Sequence, residues 1–576
     1  MNQEQYPLWA DETVYRHTIV VAQQHPAADD DNPGNADLPL KSIQAAWRLV
    51  QPGQRIRVHA GIYREMLAPL RGGTGPQAMI ALESAPGETV IVRGSQELTG
   101  GWSRPRVFDE AFIASGRTPS MSQRVWVVAL PENITTAAYQ PFTLRNVEPI
   151  EEPLMPWMEP VSGRPPFTLR RGLLLQDGQR LTQLHHHGDV PRVPGSFWVD
   201  DDGRSLLVHP IGGIHPDQAR FELAVAPHLL CPQTVGLDYI RLSGIIFEHC
   251  ANGFLRTGAA AVTTRGGGYW IIEDCHFQQI NSAGLEFGDH PFEHHDPHPL
   301  NRGRKWHGQG HVVVCGNVFR ECGTAGIRCL GTSHARVLRN TVHDCGWQDA
   351  EYYYECAGIK LLLTRHTLVA HNRISNLVGA CGIWLDWDNI GSRVTGNVIT
   401  DIVSLQGGIF IEASLHANRV DHNLIWGIDG PGIFGGDSSS QIYDNNLIGH
   451  TSAEAMSLYC HTDRSVNKQP VACVDNQVCR NLFVCVPHHR SDEENNTFSD
   501  NVYLSHRETA QCSWQSWQER GFDRDARFLR GHMQFDAAEY ALSWQWDEAP
   551  TNMDHIGPMS VAAAQGRYHL TDLGPE

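Results

Sequence analysis

Two short runs in this 576-residue chain carry the same phrase. One reads Cys381-Gly382-Ile383-Trp384-Leu385-Asp386-Trp387. The other, 26 residues on, reads Gly407-Gly408-Ile409-Phe410-Ile411-Glu412-Ala413. Gly-Ile opens each, and a carboxylate closes each four places after that glycine. Period-two alternation puts Trp384 and Asp386 on one face of a strand and Ile383 and Leu385 on the other. The second run does the same with Phe410 and Glu412 against Ile409 and Ile411. If the runs are neighbouring parallel strands in register, Asp386 and Glu412 stand one above the other, about 4.7–4.9 Å apart at the backbone. A retaining glycosidase needs two carboxyl groups roughly 5–5.5 Å apart. Like charges stacked this closely repel, so one carboxyl is expected to hold its proton above the usual range beside an ionised partner. Such a pair suits a general acid and a nucleophile.

The elements that position this pair repeat. An Asn, one intervening residue and an apolar residue recur at Asn317, Asn340, Asn372, Asn397, Asn423, Asn446 and Asn481, in steps of 23, 32, 25, 26, 23 and 35 residues. Gly-Ile or Gly-Leu runs alongside at Gly284, Gly326, Gly358, Gly382 and Gly408. A period near 24 with one Asn turn per unit predicts a right-handed parallel β-helix, one coil per unit. Asn is expected to take the left-handed turn between sheets and to hydrogen-bond along the stack. Two outward columns follow: Arg328, Lys360, Trp384, Phe410 and Phe434, then Leu330, Leu362, Asp386, Glu412 and Gly436. Trp384 and Phe410 facing outward are expected either to lie under a loop or to form a platform for a sugar ring.

The fold class is therefore all-β, with four regions. Residues 1–100 hold the first coils and a short capping helix, Ile43 to Val50, stopped by Pro52-Gly53. Residues 101–225 are proline-rich and lack the repeat, which reads as an inserted all-β module. Residues 226–510 are the main helix, and residues 511–576 a tail packing back on it. Extra residues at 349–356 and a His-rich excursion at 289–310 are expected to wall a groove.

The net charge of −19, from 45 Lys+Arg against 64 Asp+Glu, disfavours nucleic acid and anionic membrane as partners. There is no apolar run of spanning length, and the polar, acidic start suggests a cytoplasmic protein. The 14 cysteines include no Cys-x-x-Cys pair and read as buried free thiols. No cofactor or metal is expected.

The segments Glu355–Leu361, Gly382–Trp387, Phe410–Ser414 and Val420–Ile425 resemble glycoside hydrolase family 120, the parallel-β-helix β-xylosidases. Gly61–Glu65, Gly236–Ile240 and Trp270–Asp274 extend the likeness over about residues 14–450. The resemblance implies that the inserted module is a β-sandwich, Asp386 the nucleophile and Glu412 the acid/base. It also implies that Glu355 lines the sugar pocket and that a neighbouring subunit completes the groove, hence a homo-oligomer. Tyr354 stands where the family has His. Trp384, Trp387, Tyr354 and Lys360 complete the expected sugar site, for a small glycoside or oligosaccharide. Two other readings compete. A polysaccharide lyase or uronate epimerase would use Lys360 or Arg328 as base and a calcium ion on Asp386 and Glu412. A non-catalytic glycan-binding β-helix would need none of these.

Overall fold

A computed structural model describes residues 6, 9–105, 124–130, 172–184, 186–200, 203–253, 260–288, 310–348, 356–493, 495–505, 509–547 and 565–570. Among them, three sheets of 13, 15 and 9 strands run the length of a parallel β-helix. From Ile240 to Ser491 each coil contributes a strand to each sheet. Arg393–Thr395, Val398–Val403 and Ile409–Glu412, for example, make one coil. The interior is a single column of apolar side chains, with Ile359, Ile383, Ile409 and Ile433 stacked in register and fully buried.

Helix α1 (Ile43–Leu49) covers the first coil. The Ser42 hydroxyl accepts from Ala45 N at 3.2 Å, and the Glu65 carboxylate accepts from Ile43 N and Gln44 N at 2.9 Å each. These groups satisfy the amides a helix start leaves open. Ile43, Ala46 and Trp47 are buried against the coil beneath. At the other end, helix α2 (Thr509–Glu519) brings Trp514 and Trp517 into the same core. The chain then extends the 15-stranded sheet through Arg527–Asp536, Ala541–Trp546 and Gln565–His569.

The insertion leaves the ladder unbroken. Leu82 pairs directly with Leu242, and Val92 with Phe247. Its strands run from Ser95 to Ala224, in two four-stranded sheets. Leu174, Phe221 and Leu223 of one sheet and Val128, Phe197 and Leu206 of the other share one core, as in a β-sandwich. Thirteen cysteines are described, none in a disulfide, and most are buried. No helix among the described residues is long and apolar enough to cross a membrane.

The asparagines do not take the left-handed turn. That conformation falls on the residue before each: Gly316, Arg339, His371, Gly396, His422, Asn445 and Arg480 all have positive φ. The Asn itself is buried and turned inward. Asn423 shows why. Its Nδ2 donates to Val394 O at 2.9 Å and to Asn446 Oδ1 at 3.0 Å, and its Oδ1 accepts from Asn397 N at 3.0 Å and Asn397 Nδ2 at 2.9 Å. A side-chain amide is needed because it both donates and accepts along the stack. Asp523 ends the ladder, accepting from Asn501 Nδ2 at 3.2 Å.

Replacing Asn423 by Ala leaves several buried backbone and amide groups without partners, each costing about 1–3 kcal/mol. The expected result is a fall in unfolding free energy of roughly 3 kcal/mol or more, read as a lower midpoint in urea with an unchanged slope.

Candidate functional site

Five neighbouring strands of the nine-stranded sheet carry the site: β1 (Ala357–Arg365), β2 (Cys381–Asp386), β3 (Ile409–Glu412), β4 (Ile433–Gly436) and β5 (Met456–Tyr459). Their register puts Lys360 beside Trp384, Trp384 beside Phe410 and Phe410 beside Phe434. In the next outward column Leu362 lies beside Asp386, and Glu412 beside Gly436. Asp386 and Glu412 each follow the register pair Leu385 and Ile411, so they occupy equivalent places on adjoining coils.

Both strands end at the carboxylate because the next residue is left-handed: Trp387 at φ 46° and Ala413 at φ 45°. Polar side chains hold those ends. Asn389 Nδ2 donates to Asp386 O at 2.6 Å, Ser414 Oγ to Glu412 O at 3.2 Å and Ser438 Oγ to Gly436 O at 2.8 Å. The glycines that open the strands reflect close approach. A Cβ on Gly408 would lie 2.7 Å from Ile425 Cγ2 and 2.8 Å from Gly432 O.

Each carboxylate has its own cation. Lys360, only 1% exposed, places Nζ 2.7 Å from Asp386 Oδ2 and 3.5 Å over the centre of the Trp384 ring. The Glu412 carboxylate bonds the Arg464 guanidinium, and His461 Nε2 lies 3.6 Å from Glu412 Oε1. Burial pushes the Glu412 carboxyl up, but His461 and Arg464 together outweigh it and bring it down to about 2. The expectation that repulsion from Asp386 would raise one carboxyl is thus corrected for Glu412: Arg464 and the His461 hydrogen bond, invisible in the repeat, dominate.

The sugar-platform reading of Trp384 is also corrected. Trp384 is 5% exposed, with Lys360 over one side and Phe410 5.1 Å away in the same column. Phe410, Phe434 and Tyr459 continue the stack at 4.7 and 5.0 Å. These rings form a small buried cluster of their own outside the main core. Trp387 is half-buried, with the Arg464 guanidinium 5.1 Å from its ring centre. Tyr354 and Glu355 lie outside the described residues, as does nearly all of the His-rich excursion at 289–310. A cleft of about 400 Å³, lined by Val378, Val403, Leu405, Phe434, Glu454 and Tyr459, does not include the carboxylate pair.

Three side chains escaped the sequence reading: Asp437, His461 and Arg464. The last two ride on the stretch between β5 and Gln477, where Ser465–Val466 and Gln469–Pro470 form a small hairpin. Asn467 Nδ2 anchors that hairpin to Asp388 Oδ2 at 3.1 Å. The available signal was the 35-residue step from Asn446 to Asn481, the longest in the series. Glu412, Asp437 and His461 bring potential metal-ligand atoms within 4.8 Å of one another. Arg464 is bound to both carboxylates there, so their charge is already answered by a cation.

Residues 260–448 match a sequence family described as a right-handed beta helix region. No curated protein matches the sequence. Among solved structures, the complex of XylC with xylose superposes with a TM-score of 0.70 at 18% identity, over 96% of this chain and 94% of that one. The chain shares the fold of XylC. A GH136 lacto-N-biosidase from Eubacterium ramulus is 13% identical over 80% of this chain and 68% of that one, with a TM-score of 0.40. A pectate lyase, Pel9A, is 8% identical over 85% and 80%, with a TM-score of 0.39.

Lys360→Met removes the buried ammonium that bonds Asp386 Oδ2, and the expected loss of stability is about 3–5 kcal/mol by chemical denaturation. Adding Asp386→Leu removes the buried negative charge as well and should recover much of that loss; a double variant as unstable as the single would show that Lys360 acts by packing alone.

Proposed function

We propose that this protein is a retaining glycoside hydrolase acting on β-xylosides or related small glycosides. The observation that carries the proposal is the carboxylate pair at equivalent places on adjoining coils, Asp386 and Glu412. The shared fold with XylC, a protein solved with xylose bound, supports the choice of sugar. In this reading Asp386 attacks the anomeric carbon and forms the glycosyl-enzyme, and the Lys360 ammonium keeps it anionic for the attack. Glu412 protonates the departing oxygen and, once ionised, draws the proton from the water that releases the sugar. Trp387 borders the sugar.

The lyase or epimerase reading loses its base. Lys360 is fully enclosed and bonded to Asp386, and Arg328 is buried in an ion pair with Glu286. Neither is placed to take a proton from a sugar. The free thiols suit a reducing compartment, and we place the protein in the cytoplasm, as a homo-oligomer whose neighbouring subunit closes the groove.

The test uses aryl glycosides. Asp386→Ala should lower hydrolysis of an aryl β-xyloside by at least roughly 10³-fold. Glu412→Ala should regain turnover with azide and yield the β-glycosyl azide, the product of attack on a covalent intermediate. Unchanged turnover in Asp386→Ala would rule out the mechanism.

A further inference from the structure

The reaction above makes no use of Asp437, yet this carboxylate is fully buried immediately after Gly436, the register partner of Glu412. Its Oδ1 accepts the His461 backbone N–H at 2.8 Å and lies 3.4 Å from His461 Nδ1. Its Oδ2 accepts from Arg464 at 3.1 Å. His461 turns its other ring nitrogen toward Glu412, and Arg464 bonds the same Glu412 oxygen. Two side chains are thus gripped by Asp437 and aimed at Glu412. Gly436 makes the room: a Cβ there would sit 2.7 Å from His461 Cε1. Asp437 itself holds a φ of 54°, a left-handed conformation that Asp tolerates better than most residues.

The members of this group differ in freedom. The side chains of Glu412 and Asp437 are 9% and 0% exposed, whereas that of Arg464 is 34% exposed and leads into the solvent-facing hairpin. Arg464 is the member that can leave. If it does, Glu412 stays buried, and burial alone favours the protonated carboxyl.

Resting on the glycosidase reading, we propose that Asp437 is the positioning residue of the acid/base. It aims Arg464 and His461 at Glu412 and so fixes that carboxyl as an anion while no substrate is bound. An entering leaving group displaces the guanidinium, and Glu412 then takes one proton from solvent and passes it to the glycosidic oxygen. Among the described residues, the titratable and charged groups around Glu412 are Asp386, with Lys360 behind it, from β2 and β1, Asp437 beyond β4, and His461 and Arg464 from the stretch after β5. Burial of Arg464 works against its charge, but Glu412 and Asp437 more than restore it, and Asp386 adds to the same effect, so the guanidinium feels both catalytic carboxylates.

The test is the pH dependence of kcat/KM on an aryl β-xyloside, in protein whose near-ultraviolet circular dichroism is unchanged. Arg464→Gln should move the basic limb, set by Glu412, upward by roughly one to three pH units. Asp437→Asn discriminates by sign. Loss of a nearby negative charge by itself lowers the Glu412 carboxyl, whereas loss of aim of Arg464 and His461 raises it. The proposal requires an upward shift; a limb that stays in place or moves down overturns it. Should Asp437→Asn not fold, Arg464→Lys keeps the charge but cannot span two carboxylates with a planar fork, and an unmoved limb there is equally fatal.

A second reading needs no turnover. A carboxyl brought down from its usual 4.5 to about 2 stabilises the fold above its usual value, and that contribution is lost as pH falls toward 2. The melting-temperature gap between the wild type and Glu412→Gln should therefore change across that window, and should flatten when Arg464→Gln is added to both. A protein that hydrolyses no glycoside but shows this behaviour would refute the glycosidase and leave the clamp standing. A gap that does not respond to Arg464→Gln would refute the clamp.

Discussion

The structure depends on one constraint: each coil must lie in register on the coil before it. In a parallel ladder a slip of one residue turns every inward side chain outward. Here the slip is opposed twice. Inside, a slip would drive Lys360, Asp386 and Glu412 into the places of the buried isoleucines and leucines. At the turns, the buried asparagines Asn317, Asn340, Asn372, Asn397, Asn423, Asn446 and Asn481 each bond the equivalent residue one coil away. A second polar ladder, through Asn389, Asn418, Gln441 and Asn476, does the same at the turn after the site strands. The carboxylates inherit their alignment from these locks.

Burying two acids on adjoining coils poses an electrostatic problem that the fold solves locally. A buried charge without a partner is costly, and removing one member of a pair exposes that cost. Asp386 takes its cation from the preceding coil, where Lys360 stands in the neighbouring column. Glu412 takes its own from a stretch of chain some fifty residues later. The pair is therefore not two bare charges in opposition. It is two ion pairs of opposite orientation, one locked in the interior and one open to solvent on the Arg464 side.

What could be read from the sequence follows from how far each signal reaches. The Gly-Ile columns were legible because a close backbone approach recurs at the same place on each coil. Helix α1 was legible from its punctuation. The role of asparagine was half legible. Its spacing marked the turn, but a one-dimensional pattern does not separate the residue that bends the backbone from its neighbour that feeds the ladder. For Trp384 the sequence left cover and a sugar platform both open, because outward from the helix axis is not the same as exposed to water; a cation and two more rings continue the column and bury it. Arg464 and His461 were hardest to see. Periodicity relates a residue to its own column, and these two reach the column from a segment that has left the repeat.

That last point bears on how such a site can be built at all. The coils place Lys360, Asp386 and Glu412, while an inward isoleucine or a ladder asparagine serves every coil alike. The groups that tune Glu412 enter where a coil lengthens at a turn, because a ladder of backbone hydrogen bonds is indifferent to what leaves and re-enters between two strands. The coil that carries His461 and Arg464 spends 35 residues where its neighbour spends 23, yet Ile442 still pairs with Gln477 and Leu447 with Leu482. The same indifference lets the whole sandwich from Ser95 to Ala224 sit between two strands that pair as though it were absent. Placement of the two carboxylates and the charge set against Glu412 are thus carried by separate parts of the chain, so the segment after β5 can change that charge without disturbing the columns that place it.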